Sequence, residues 1–231
     1  KLNIRQRITY LILALTPSVL TAIPFLGQNP PEVIARILSY SGVNDFSYSA
    51  ILRGIWYQNN AITNLPLTYD LLSTSKFMFL TAFFSLTILF AGWKNLAKAS
   101  LAIYLLFLCL YFGIGAQYLV WVLPLAIIAR ERMVIPYTLF GSMALLGFYL
   151  FFGPDILLGK LSSMAPFQTK YIYLYFLGNL GFWIFNLVWL IKIVTNYMRT
   201  SFHKLSEVRR RLIYFTAVLF ILTLFPMIYL I

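Results

Sequence analysis

Residues 113–129 read Gly113-Ile114-Gly115-Ala116-Gln117-Tyr118-Leu119-Val120-Trp121-Val122-Leu123-Pro124-Leu125-Ala126-Ile127-Ile128-Ala129. A glycine break separates this segment from the apolar run before it. Gln117, Tyr118, Trp121 and Pro124 are the most polar and most patterned residues of an otherwise greasy region. By periodicity it is a short membrane helix, shorter than the ~20 apolar residues a span ordinarily takes. Whether it crosses decides the side that every later loop faces.

The composition sets the class. The chain has 231 residues, 61% hydrophobic and 10% charged, whereas soluble domains carry about 25% charged residues. The expected fold class is therefore an all-α polytopic membrane protein, one transmembrane domain over 1–231. A net charge of +12 would suggest nucleic acid in a soluble chain. Here the basic residues flank apolar runs and orient them, so membrane lipids are the expected partners and nucleic acid is not. Cys109 is the single cysteine and lies in an apolar run, which excludes an internal disulfide and a thiolate metal framework. His203, the one histidine, lies among basic residues and reads as solvated. The chain begins at Lys1 rather than Met, and is read as the C-terminal part of a longer protein. Residues 8–26 follow a basic start, but no A-x-A-like cleavage site follows them, so they are read as a retained span.

Seven spans are expected: 8–26, 77–93, 99–112, 117–129, 133–152, 171–191 and 212–231. Pro17 and Pro24 are tolerable in the first because neighbouring helices can satisfy the freed carbonyls. Residues 27–75 are too polar for lipid and form an extracytoplasmic loop carrying short interfacial helices. Asn29-Pro30-Pro31-Glu32 is a helix start, with a capping residue, proline in the first turn and an acid after it. Val33, Ile34, Ile37 and Leu38 share one face, and Gly42 ends the helix. A second short helix is expected over 47–56. Residues 153–170 are loop, and residues 192–211 form a basic cytoplasmic linker. With Lys1 on the cytoplasmic side, thirteen Lys and Arg residues fall inside and five outside, as the positive-inside rule requires. Removing 117–129 as a span would put Arg130 and Arg132 outside and invert everything after them. The short element therefore crosses, and the hairpin 99–129 turns over at Gly113–Gln117 on the outer side.

Candidate functional residues gather on that side. Tyr118 fits an interfacial aromatic belt; Trp121 fits it less well, and Gln117 poorly, because a buried amide needs partners. Arg53 and Lys76 are cations on an otherwise acid-biased side, and they suit a lipid phosphate. Asp45 and Asp70 are the candidate general bases. No Asp, Glu, Lys or Arg falls mid-span, which counts against a proton-coupled pump. No inverted repeat is visible either. Asn179 and Asn186 are seven residues apart, share a helix face and read as packing residues. Phosphate-loop, H-E-x-x-H and G-x-S-x-G patterns are missing.

Gln117-Tyr118-Leu119-Val120-Trp121-Val122-Leu123-Pro124-Leu125 resembles the Q-Y-L-x-W-x-L-P-L segment of polytopic glycosyltransferases of the GT-C superfamily. The nearest relatives in kind are polyprenol-phosphate-mannose-dependent mannosyltransferases, including the GPI mannosyltransferase I family. The stretch Pro31-Glu32-Val33-Ile34-Ala35-Arg36-Ile37-Leu38-Ser39-Tyr40 is similar to their extracytoplasmic loop. The resemblance implies transfer of a sugar, most readily mannose, from a polyprenyl-phosphate donor on the non-cytoplasmic face, and leaves room for a divalent metal. It implies a catalytic Asp in a first outer loop, which has no matching acid pair here. The base would then lie on an N-terminal half or on a partner membrane subunit. Gln117, Tyr118 and Trp121 would line the outer end of the cavity, near the lipid phosphate or the acceptor. A prokaryotic plasma membrane is the expected location, or the endoplasmic reticulum membrane in a eukaryote, with the N-terminus cytoplasmic. The other readings are a non-catalytic membrane subunit and a lipid or solute transporter.

Overall fold

The computed structural model describes residues 67–158, apart from 92 and 112, residues 169–201, and scattered positions elsewhere. The chain divides into two units, Lys1–Tyr40 and Ser41–Ile231. In the first, the described residues from Arg5 to Pro24 are helical and exposed, Ile8, Ile12, Leu13, Val19, Leu20 and Ile23 among them. Thr9 and Thr16 donate their hydroxyls to the carbonyls of Arg5 and Ile12, one turn back. Such bonding hides a hydroxyl inside an apolar helix.

The second unit is helical, with no strand among the described residues. Its helices are α1 (Leu67–Phe90), α2 (Leu96–Leu110), α3 (Ala116–Val120), α4 (Val122–Ile128), α5 (Val134–Phe152), α6 (Pro154–Leu158) and α7 (Ile172–Ser201). Asn95 caps α2 by accepting the Lys98 backbone N–H at 3.1 Å. The helix stops where Tyr111 turns extended, just ahead of the glycine break. At the far end of α4, the Arg130 N–H donates to the Ile127 carbonyl and the Glu131 N–H to the Ala126 carbonyl. This is a Schellman closure, and it places Arg130 in the left-handed region at φ 54°. Pro154 follows Gly153 and prevents α5 from continuing.

α5 and α7 form the best-packed pair. They run antiparallel: Gly147 lies against Leu174 and Tyr175, Gly178 against Met143 and Ala144, and Tyr137 against Phe182 and Trp189. α2 joins them through Trp183, whose indole N–H donates to the Cys109 carbonyl at 3.0 Å. That carbonyl is in the last turn of α2, where no intrahelical donor remains. α1 lies on the other side of α2, with Phe79 edge-on to Phe107 and Tyr111. Asn179 and Asn186 are both fully buried, on the packed face of α7, and Asn179 donates to the Tyr175 carbonyl.

The segment 113–129 doubles back along α2. Phe107 meets Tyr118 near the turn, and the Lys98 ammonium meets the Glu131 carboxylate at 2.7 Å at the other end. Lys94 and Lys98 therefore share one end of the bundle with Arg130 and Arg132. The turn at Gly113–Gly115, the C-terminus of α5 and the N-terminus of α7 share the opposite end. Phe46 and Ala50, from the polar stretch before α1, are buried there: Phe46 packs on Phe148 with ring centroids 4.7 Å apart, and Ala50 joins Phe151, Ile172 and Tyr175.

Two helices, Val134–Phe152 and Ile172–Thr200, are long and apolar enough to cross a membrane. Only 28% and 39% of their apolar windows are buried. A soluble protein rarely exposes that much contiguous apolar surface. On α5 the exposed stripe is Ile135, Leu139, Met143 and Leu146, at helical spacing. The other apolar helices are shorter: Lys76–Phe90, Leu96–Leu110 and Ala116–Ile128.

The stretch expected as loop over 153–170 opens with the short helix α6, started by Pro154 with Asp155 in its first turn, and two span boundaries also differ from the sequence reading. The helix expected at 77 begins at Leu67, so the last residues of the 27–75 loop are helical. The linker expected over 192–211 is helical as far as Ser201. Ile193 and Tyr197, four apart and both buried, carry the packed face of α7 onward, and no Pro or Gly falls between Lys192 and Ser201. About half of the span expected at 8–26, nearly all of that at 212–231 and most of the interfacial helices lie outside the described residues.

Candidate functional site

The break at Trp121 builds the site. Pro124 has no N–H to return to the Val120 carbonyl, so the helix splits into α3 and α4 with Trp121 as the joint. Nearby carbonyls are met by tyrosines of other helices. The Tyr104 hydroxyl of α2 donates to the Tyr118 carbonyl at 3.1 Å, and the Tyr137 hydroxyl of α5 donates to the Leu119 carbonyl at 2.6 Å. Both hydroxyls are thereby spent on holding α3 in place. With α3 fixed, the Trp121 ring stands edge-on to Tyr118, centroids 5.2 Å apart, and remains 54% exposed.

A pocket of 240 Å³ opens beside this joint. Phe79 of α1, Ile103, Tyr104 and Phe107 of α2, and Tyr118 and Trp121 line it. The ring contacts among them run from 5.2 to 6.4 Å, within the range of favourable aromatic pairing. No titratable group other than the tyrosines lines it among the described residues. The pocket offers dispersion contact and ring faces, which suits a branched or flat apolar ligand. It holds no acid or base for proton transfer near neutral pH.

The residues singled out from sequence are distributed unevenly about this pocket. Tyr118 and Trp121 are brought together on its wall. Gln117 is exposed, and its amide folds over Gly115: a Cβ there would sit 2.7 Å from the Gln117 Oε1. The glycine leaves room for that amide, and Gln117 lines no wall of the pocket. Lys76 sits on α1 one turn before Phe79, at the same end of the bundle, with its side chain partly buried. Asp70 is in the first turn of α1, about 14 Å along the helix axis from Phe79 at 1.5 Å per residue. Asp45 and Arg53 lie outside the described residues. Among the described residues there is no group of three His, Cys, Asp or Glu that could hold a metal ion.

Phe79, Tyr104 and Phe107 belong to the pocket but carried no signal of their own in the sequence. They are aromatics at helical spacing within apolar runs, indistinguishable there from core residues. No family model, curated protein or solved structure matches the chain.

Proposed function

We propose that this chain is a multi-pass membrane glycosyltransferase, or the C-terminal portion of one. It moves a sugar, mannose foremost, from a polyprenyl-phosphate donor to an acceptor hydroxyl on the non-cytoplasmic face. The observation that carries this reading is the aromatic pocket at the glycine-turn end, opposite the basic end, with Trp121 exposed at the helix joint. An isoprenoid chain is branched and apolar, and it packs well on such rings. Lys76, one turn from Phe79, supplies a cation near the level where the lipid phosphate would lie. The sequence likeness of 117–125 to lipid-dependent transferases supports the same assignment.

In such a transfer the acceptor oxygen loses its proton to a base and bonds to the anomeric carbon. The bond from that carbon to the phosphate oxygen breaks, and polyprenyl phosphate leaves. The pocket residues bind and orient the donor; the base is a carboxylate outside the pocket, Asp45, Asp70 or one on a partner segment. The lining, five aromatics and Ile103 with no carboxylate among them, also supports a second reading, a non-catalytic subunit that presents the lipid to a partner enzyme.

The test is a polyprenyl-phosphate mannose with a photoreactive isoprenoid unit, applied to the intact protein in membranes. Label is expected on α2 and α3, and Trp121→Ala is expected to raise the donor KM about tenfold, the equivalent of 1.4 kcal/mol. Label elsewhere with an unchanged KM removes the pocket from the reaction. Labelling without transfer, in wild type and in Asp45→Asn and Asp70→Asn alike, selects the subunit reading.

A further inference from the structure

The basic end of the bundle holds a second cavity, which no part of the proposed transfer uses. It measures 250 Å³ and lies between the start of α2, the residues after α4 and the last turns of α7. Asn95, Lys98, Glu131, Lys192, Asn196 and Thr200 supply its polar wall. Trp93 and Tyr197, rings 4.9 Å apart, form an aromatic floor. Lys98 and Glu131 are tied at 2.7 Å, with side chains 34% and 14% exposed. Their charges cancel, which leaves Lys192 as the uncompensated charge on this wall among the described residues. Arg130 and Arg132 flank Glu131 in the chain, and both are exposed.

We infer that this cavity binds a singly charged phosphate group, that of an anionic phospholipid headgroup or of a free phosphate monoanion. The wall carries one positive charge in excess, which matches one negative charge. A doubly charged phosphomonoester would have to break the Lys98–Glu131 pair. The Lys192 ammonium and the Asn196 amide supply donors on the same flank of α7. Lys98 adds a second cation whose charge Glu131 tempers, so removing the Glu131 charge strengthens the site. Trp93 and Tyr197 meet the glycerol and first methylenes, as aromatics do at headgroup level. Basic pockets between membrane helices take such headgroups.

The inference rests on the membrane reading, and flotation of the chain with phosphatidylcholine vesicles checks that reading separately. The binding test uses the purified full chain in detergent, titrated with phosphatidylglycerol, phosphatidylcholine or millimolar inorganic phosphate. Lipid retention is read by native mass spectrometry and stability by thermal unfolding. One phosphatidylglycerol should be retained in preference to phosphatidylcholine. Lys192→Gln and Asn196→Leu should each weaken retention, the former about tenfold. Glu131→Gln should strengthen it. Lys94→Gln, at the same end but off the cavity wall, should leave it unchanged. Stabilisation by inorganic phosphate alone, lost in Lys192→Gln, assigns the free anion as the source. Equal retention of both lipids, or an equal loss in Lys94→Gln and Lys192→Gln, overturns the inference in favour of diffuse surface charge. Asn196→Leu leaves every charge in place, so a topology change in the lysine variants does not obscure the result.

Discussion

Gly147→Ala is expected to loosen the pair of helices on which both ends of the bundle depend. A Cβ at Gly147 would lie 2.7 Å from the Leu174 carbonyl oxygen and 2.7 Å from the Tyr175 Cα. Both are backbone atoms and cannot swing aside. Ordinary heavy-atom contact is about 3.5–4.0 Å, so α7 must retreat by about 1 Å. Opposing this, alanine in place of a helix-interior glycine gains about 0.5–1 kcal/mol in chain entropy. Overpacking costs about 1–3 kcal/mol, and a retreat of that size also forfeits a quarter to a half of each dispersion contact along the seam. The same seam is close at Gly178, where a Cβ would meet the Met143 oxygen at 2.9 Å, so α7 cannot simply slide. The net expectation is a loss of about 2 kcal/mol. Gly141 on the same helix is the internal control, since a Cβ there meets the Phe182 ring at 3.6 Å, ordinary contact. Gly141→Ala should be neutral or stabilising by up to about 1 kcal/mol. The assay is thermal unfolding of the detergent-solubilised protein, followed by tryptophan fluorescence. Gly147→Ala melting at or above Gly141→Ala would show that the α5–α7 seam accepts the added methyl without retreating.

Two other substitutions test how the helix joint and its end are held. Tyr137→Phe removes a buried hydroxyl from the Leu119 carbonyl and should cost about 1 kcal/mol, together with a shift in Trp121 emission; an unchanged melting point and spectrum would mean that α3 is held by its other contacts alone. Arg130→Gly relieves the positive φ at the end of α4 and should stabilise by about 1 kcal/mol. A fall in melting temperature instead would show that the arginine side chain contributes more than its backbone conformation costs.

Segment order and helix type were legible in the sequence because apolar runs and charge clusters are crude, additive signals. The return of residues 113–129 to the Lys98 end was legible for the same reason: Arg130 and Arg132 had to share a side with Lys94 and Lys98, and the Lys98–Glu131 pair joins those two ends. The boundaries were not. Lys192, Asn196 and Arg199 look like a soluble linker in composition, yet Ile193 and Tyr197 at i, i+4 keep α7 folded through them. The site was half legible. Tyr118 and Trp121 stood out by contrast with their surroundings, whereas Phe79, Tyr104 and Phe107 became pocket residues only through the pairing of α1, α2 and α3. Gln117 stood out equally, but its amide went to the space over Gly115, which local geometry decides.

α7 and α2 differ twofold in length. At 1.5 Å per residue, the 30 residues of α7 reach about 45 Å, while the 15 of α2 reach about 22 Å. A bilayer core is about 30 Å thick, so on the membrane reading one flank of this bundle overshoots it and the other falls short. Lipid beside the short flank must thin, at a modest cost for each ångström. The thinning would be felt next to the short helices α3 and α4, whose Val120, Trp121, Ile127 and Ile128 are exposed, beside the aromatic pocket. A headgroup in the facing leaflet would be lowered toward Trp121 there, so the unequal helix lengths would shape the film beside the pocket.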